Sequence, residues 1–302
     1  MTTYFDGKWV DDADATVNVR SRALNYGLGC FGSVRGYLAD DGRQVLVFRL
    51  DAHVQRLAES ARVLHLRMPG SLADVAELHL ELLRRNEVHH DVYIRPLLMH
   101  NSTAMAPVLD ESTTSFTIYC LPLKRYIDKD AIDVCISSWR RVADNAIPAR
   151  TKPTGAYLNS ALARREAFDG GFDEAILLTE AGKVSEGSAE HVFMVRRGAL
   201  VSPPSTQDNL DGITRRSLIE MATQDLGLSF SEREIGRTEL YVADELFLCG
   251  TGAQITPVRS VDRRTLGDGG IGPVTRRLQQ HFDDVVHGRV ASRKHWLFPT
   301  WG

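Results

Sequence analysis

A chain of 302 residues, 43% hydrophobic and 25% charged with a formal net charge of −3, is two domains long at roughly 100 to 200 residues each. This balance reads as an ordinary globular protein and excludes a nucleic-acid binder acting through a basic face. The opening Met1-Thr2-Thr3-Tyr4-Phe5-Asp6-Gly7 has no basic stretch followed by an apolar run, and no apolar segment approaches the roughly 18 residues that cross a bilayer, so a cytoplasmic protein with no membrane partner is expected. Cys30, Cys120, Cys135 and Cys249 form no C-x-x-C pair and sit in apolar or glycine-rich settings, which points to free buried thiols rather than disulfides or a metal centre.

In chain order, Asp6-Gly7 is a favoured hairpin dipeptide between two short strands. From Asp51, the residues Val54, Leu57, Ala58, Ala61 and Leu64 recur at helical spacing. Ser71 with Asp74 resembles a capping box opening a second helix, whose inner face is read as Leu72, Val75, Leu78 and Leu82. Val92 to Met99 and Thr114 to Leu121 are β-branched and aromatic runs that read as strands. These elements make an α+β domain over 1–121. The polar stretch that follows sets an interdomain loop at 122–131, and 132–302 is expected to form a C-terminal domain.

Beyond Ile132 the segments Ala175 to Leu178, Lys183 to Glu186, His191 to Val195 and Leu200 to Ser202 read as a meander of short strands. Helices are expected from about Ala156 to Phe168, closed by Gly170-Gly171, and from Ile213 to Leu226, closed by Gly227. A last helix follows Pro273, a residue suited to a first turn. The fold class is therefore α/β (α+β) in two domains.

Several motifs invite a chemical reading. Gly267-Asp268-Gly269-Gly270-Ile271-Gly272 satisfies G-x-G-x-x-G, but a dinucleotide site needs a following strand and an acidic residue about 20 positions on, and only one helix and a tail remain, so it reads as a turn. His79, His89 and His90 have no carboxylate or cysteine at metal spacing and are expected on a solvated face, and no metal site is expected. Lys152 sits before a turn and a helix, while Val184-Ser185-Glu186-Gly187-Ser188 sets a carboxylate among small residues. A lysine and a separate strand carboxylate can handle a pyridine aldehyde, one forming the imine and the other pairing with the ring nitrogen. The helix start Gly212-Ile213-Thr214 and the turn Gly250-Thr251-Gly252 offer backbone N–H groups and hydroxyls to a phosphate, and Arg56 offers a charged fork.

Taken in order, these segments resemble the fold-type IV aminotransferases, most closely the branched-chain amino-acid aminotransferases. The resemblance runs from Asn25-Tyr26-Gly27 through His53-Val54-Gln55-Arg56-Leu57, Tyr93-Ile94-Arg95-Pro96-Leu97, the Lys152 segment, Val184-Ser185-Glu186-Gly187 and Gly212-Ile213-Thr214-Arg215 to Gly250-Thr251-Gly252-Ala253-Gln254-Ile255-Thr256-Pro257-Val258. It implies pyridoxal 5'-phosphate at a domain interface and a homodimer. Lys152 would hold the cofactor as a Schiff base and move the proton. Glu186 would face the pyridine nitrogen, Tyr157 would lie beside the ring, and Arg56, Ile213, Thr214 and Thr251 would receive the phosphate. For substrate, the resemblance implies Tyr93, Thr251 and Gly252 at the α-carboxylate, Arg95 and Tyr26 at a distal carboxylate, and Phe31 in the apolar wall. The implied reaction is transamination between an apolar, branched-chain-like L-amino acid and 2-oxoglutarate.

The sequence departs from the family at Gly32-Ser33, where Glu-Gly is usual, at Leu123, where an aromatic is frequent, and at His191, where asparagine is common. The loop His100-Asn101-Ser102-Thr103-Ala104-Met105 lacks the usual glycines. Neighbouring readings on the same scaffold are an aminotransferase for a modified amino acid, a D-amino-acid or (R)-amine transaminase and an aminodeoxychorismate lyase. A cofactor-binding protein without turnover is the reading from another class.

Overall fold

The computed structural model describes residues 1–123, 127 and 129–301. Its contacts divide the chain into two units, Met1–Lys124 with Thr151–Ala156 and Asp284–Gly302, and Arg125–Arg150 with Tyr157–Asp283. Each unit combines helices with one sheet, so the fold is α/β.

In the first unit Thr2–Phe5 and Lys8–Asp11 pair antiparallel about Asp6-Gly7, both at positive φ as a tight hairpin turn requires. Asp6 also accepts from Ser115 Oγ at 2.6 Å and from the Phe116 amide at 2.8 Å, pinning the hairpin to Thr114–Pro122. Among the described residues the sheet has eight strands, ordered Leu297–Pro299, Val45–Phe48, Val34–Leu38, Val92–His100, Thr114–Pro122, Thr2–Phe5, Lys8–Asp11, with Gly29–Phe31 beside Val92–His100. Helices Leu50–Val63 and Leu72–Arg85 bury Val54, Leu57, Ala61, Val75, Leu82 and Leu83 in one core with Val34, Val47, Ile94, Leu98 and Ile118. Each such side chain contributes roughly 1.5–3 kcal/mol by leaving water.

The Ser71–Asp74 capping box forms as expected, and of the expected inner face Val75 and Leu82 are buried and Leu78 packs against the core. Leu72 departs at 44% exposed, and His79, expected in solvent, is fully buried. His79 lies four residues after Val75 and three before Leu82, which puts it on their face. Its Nδ1 donates to the Val75 carbonyl at 2.7 Å, and burial lowers its pKa to about 4, so it enters the core uncharged. His89 and His90 are exposed, as expected.

The expected division into 1–121, 122–131 and 132–302 needs correction. Leu297–Pro299 joins the first sheet beside Val45–Phe48. Thr151–Ala156 also belongs to the first unit: Pro153 bridges Cys30, the Phe31 amide donates to the Lys152 carbonyl at 3.1 Å, and Thr154 Oγ1 donates to the Gly27 carbonyl at 2.6 Å. The approach needs glycine on both sides, since a Cβ on Gly27 would lie 2.8 Å from Gly155 Cα. The first unit therefore carries Lys152, which sequence order alone assigns to a C-terminal domain. Of the loop 122–131, residues 124–126 and 128 lie outside the described residues.

The second unit has, among the described residues, nine strands ordered Val184–Gly187, Glu174–Leu178, Ile132–Arg140, Gln254–Val261, Glu245–Gly250, His191–Arg196, Ala199–Ser202, Phe230–Glu232, with Arg264–Thr265 beside Gln254–Val261. This is not the expected meander. Val184–Gly187 and His191–Arg196 are consecutive in sequence but not neighbours, because residues 188–190 fold into a tight loop in which the Gly187 amide donates to the Glu190 carbonyl at 2.5 Å. Ile132–Arg140 runs parallel to Glu174–Leu178, and helix Tyr157–Asp169 lies in the long connection that a parallel pair demands. Ala163 and Ala167 seat that helix against Cys135, Ala175 and Leu177. The expected helix at 213–226 runs as Ile213–Glu220 and then widens into a π-turn at Met221–Asp225 before Gly227.

All four cysteines are free and buried. Burial pushes the Cys30 thiol up to about 12 and those of Cys120 and Cys135 to about 11. Among the described residues no helix is long and apolar enough to cross a membrane, and no group of three or more metal-ligating side chains comes together.

At helix Pro273–Val286 the glycine-rich segment before it forms a turn, with Gly267 and Gly269 at positive φ. The helix start already holds an anion of its own chain: Glu245 accepts from the amides of Val274 at 3.0 Å and Thr275 at 2.7 Å and from Thr275 Oγ1 at 2.7 Å. That carboxylate fills the place a nucleotide phosphate would take. Glu245→Ala should lower the stability seen in urea unfolding by about 1–3 kcal/mol, because buried amides lose their acceptor. A loss under about 0.5 kcal/mol would mean the cap contributes no more than water does.

Candidate active site

Within the first unit, a strand and a turn bring four expected residues together. Tyr93 and Arg95 sit two apart on Val92–His100 and so share a face. Arg95 donates to Tyr93 Oη from Nη2 at 2.6 Å and from Nε at 3.1 Å, and Tyr93 Oη donates to Ser33 Oγ at 2.6 Å. The Arg95 guanidinium also lies 4.2 Å from the centre of the Phe31 ring, and Lys152 Nζ lies 5.1 Å from it. Among the described residues no carboxylate pairs with Arg95. A half-buried guanidinium whose neighbours are aromatic faces and a phenol retains its full attraction for an anion.

Arg56 is buried on helix Leu50–Val63, one turn beyond His53. The His53 pKa lies well below the ordinary imidazole value, first through burial and then through nearby cations that include Arg56, Lys152 and Arg49. Tyr26, the last residue of the short helix Arg22–Tyr26, is 39% exposed and makes no hydrogen bond to Arg95, so it is not gathered with the other four.

Within the second unit, Glu186 is buried on Val184–Gly187. Arg141 Nε lies 2.9 Å from its Oε1, the Leu210 amide donates to Oε2 at 3.3 Å, and His191 Nδ1 stands 3.8 Å from Oε2. Arg141 is held in turn by the Asp208 carbonyl at 3.2 Å. Ile213 and Thr214 are buried in the first turn after Gly212, and no side chain of the N-cap residue satisfies the amides there. This differs from the Pro273 helix, whose start is filled by Glu245. Thr251 and Gly252 lie in the turn joining Glu245–Gly250 to Gln254–Val261, and Tyr157 is the first residue of its helix, half-buried.

Two participants carry no readable signal in the sequence. Ser33 is visible only as a departure from the family pattern, with no contact implied. Arg141 is 45 positions before Glu186, and the only cue is physical: a buried carboxylate needs a partner, without saying which.

The sequence model of the amino-transferase class IV family matches residues 29–261. A probable branched-chain-amino-acid aminotransferase of Aquifex aeolicus is 39% identical over 299 residues, 99% of this chain and 96% of that one. Among solved structures, a branched-chain aminotransferase of Thermoproteus uzoniensis with norvaline superposes with a TM-score of 0.94 at 39% identity, covering 100% of this chain and 99% of the other. The T.th. branched-chain amino acid aminotransferase complexed with N-(5'-phosphopyridoxyl)-L-glutamate gives 0.93 at 36% identity, covering 98% and 97%. The chain therefore belongs to the class IV amino-transferases and is an aminotransferase. Enzymes of this class use pyridoxal 5'-phosphate. The residues present fit that group: a buried carboxylate fixed by Arg141, and a helix start whose amides lack the carboxylate that closes the Pro273 helix.

Next to Glu186 in the chain, Glu190 is also buried. Burial, followed by the charge of Glu174, raises its carboxyl to about 8. The folded pKa exceeds the unfolded value, so the native protein keeps a proton that the unfolded chain releases. This contribution is complete below about pH 4 and is lost as pH rises toward 8. Glu190→Gln should therefore flatten the fall in urea-measured stability between pH 5 and 8, a slope of at most about 1.4 kcal/mol per pH unit for one proton. Parallel pH profiles for the two proteins would show that Glu190 does not titrate in this window.

Proposed function

We propose that the protein exchanges the amino group of an apolar, branched-chain-like L-amino acid with 2-oxoglutarate, using pyridoxal 5'-phosphate held by Lys152. The observation that carries this reading is the Arg95–Phe31 pair, which offers one pocket wall an aromatic surface for an uncharged side chain and an unpaired cation for an acidic one. The relatives point the same way, since one was solved with norvaline and another with a phosphopyridoxyl derivative of L-glutamate.

Pyridoxal 5'-phosphate would supply an electron sink for the pair left at the substrate α-carbon. Lys152 Nζ would hold and move the α-proton, one amine serving as base and then as acid. Glu186 would accept from the protonated pyridine nitrogen, with Arg141 fixing the position of the carboxylate. Arg56, the amides of Ile213 and Thr214 and the Thr251 hydroxyl would hold the phosphate, and Tyr157 would lie beside the ring. Holding the cofactor at both ends would leave the substrate as the part that moves. Tyr93 and the amides of Thr251 and Gly252 would take the α-carboxylate, while Arg95 would take the distal carboxylate of glutamate. We further propose a cytoplasmic homodimer.

Borohydride reduction of the holoenzyme followed by peptide mapping should fix the cofactor to Lys152, and label on another lysine would sink the assignment. Arg95→Ala should lower kcat/KM for glutamate about 100-fold or more, the loss of a charge-assisted pair of roughly 3 kcal/mol, with less than about fivefold loss for leucine. Equal losses for the two donors would remove Arg95 from the distal-carboxylate role.

A further inference from the structure

His191, at the start of strand His191–Arg196, is only 6% exposed, and it stands where asparagine is common in the family. Two edges of its ring meet two different elements. Nδ1 is 3.8 Å from Glu186 Oε2. On another edge, a Cβ built on Gly212 would fall 1.9 Å from Nε2 and 2.4 Å from Cδ2, so the Gly212 backbone lies directly against the imidazole. Gly212 is the N-cap of Ile213–Glu220, immediately before the amides assigned to the phosphate. One side chain thus stands between the carboxylate for the ring nitrogen and the helix start for the phosphate.

We infer that His191 is a positioning residue of the cofactor site: its Nδ1–H steers the Glu186 carboxylate, and its ring sets the position of the Gly212 backbone. This rests on the roles given above to Glu186 and the Gly212 helix start. Chemistry separates the two tasks. An Nδ1–H facing Oε2 from 3.8 Å is too far for a direct hydrogen bond and adds electrostatic attraction to the hold of Arg141 Nε and the Leu210 amide on Glu186. The far edge of the ring does the other task, because Nε2 is the atom nearest the Gly212 backbone. Asparagine retains an N–H donor and stops short of the Nε2 position. Methionine extends as far as that position and lacks the donor.

The test compares wild type, His191→Met, His191→Asn and Glu186→Gln. Two quantities are measured: the absorption spectrum of bound pyridoxal 5'-phosphate, and the affinity of the cofactor-free protein for inorganic phosphate. His191→Met should shift the cofactor band in the direction that Glu186→Gln shifts it, with phosphate affinity within about twofold of wild type. His191→Asn should leave the band in place and weaken phosphate binding about tenfold. A general loss of folding would move both quantities in both variants, and that outcome overturns the inference. So does a pair of variants indistinguishable from wild type. If wild type takes up no cofactor, or Glu186→Gln leaves the band unmoved, the functional reading itself fails and this inference falls with it.

Discussion

The placement of Lys152 depends on a backbone seam rather than on any feature of its side chain. Residues 151–156 leave the sequence neighbourhood of the second unit and bond to the Gly27–Phe31 region of the first, through the Phe31 amide, the Cys30–Pro153 bridge and the Thr154 hydroxyl. The two chains come closer than a Cβ allows, and glycine at 27 and 155 is the condition for it. Once the seam is closed, Lys152 Nζ stands over Phe31 with the Arg95 guanidinium on the same residue. A shift of about 1 Å along this seam would move the amine out of reach of a reacting carbon, a displacement that costs an enzyme on the order of 100-fold in rate.

The second unit meets a different constraint, the cost of burying charge. Glu186, Glu190 and Glu174 are all buried, and each burial is tolerated by a different device. Glu186 is paired with Arg141. Glu190 avoids the cost by keeping its proton. Glu174 accepts from the Ala175 amide at 2.7 Å and has Arg164 at 3.6 Å, yet burial still raises its pKa. Buried ion pairs such as these add little net stability against an apolar replacement.

How much of this was legible in the sequence depends on the range of the interaction. The Asp6-Gly7 hairpin and the Ser71–Asp74 box are set by residues within a few positions of one another, and each is read directly, whereas Pro273 marks a helix start whose Glu245 cap comes from a distant strand. His79 was misread because its polarity outweighed its place in the Val75–Leu82 register. Strand neighbours in the second unit were misread because alternation marks a strand but carries no information on which strand lies beside it. The family pattern supplied Lys152, Glu186 and Arg95, whereas Arg141 and Ser33 needed coordinates, since their partners are 45 and 60 residues away in sequence.

The four cysteines carry one more implication. A thiol with a pKa near 12, like that of Cys30, is ionised to roughly one part in 10⁵ at neutral pH, and the thiolate is the form that oxidants and alkylating agents attack. Cys30 lies on the seam opposite Pro153, where a modified sulfur would push Lys152 out of register. Its inertness shields the seam that carries Lys152 from changes in redox conditions.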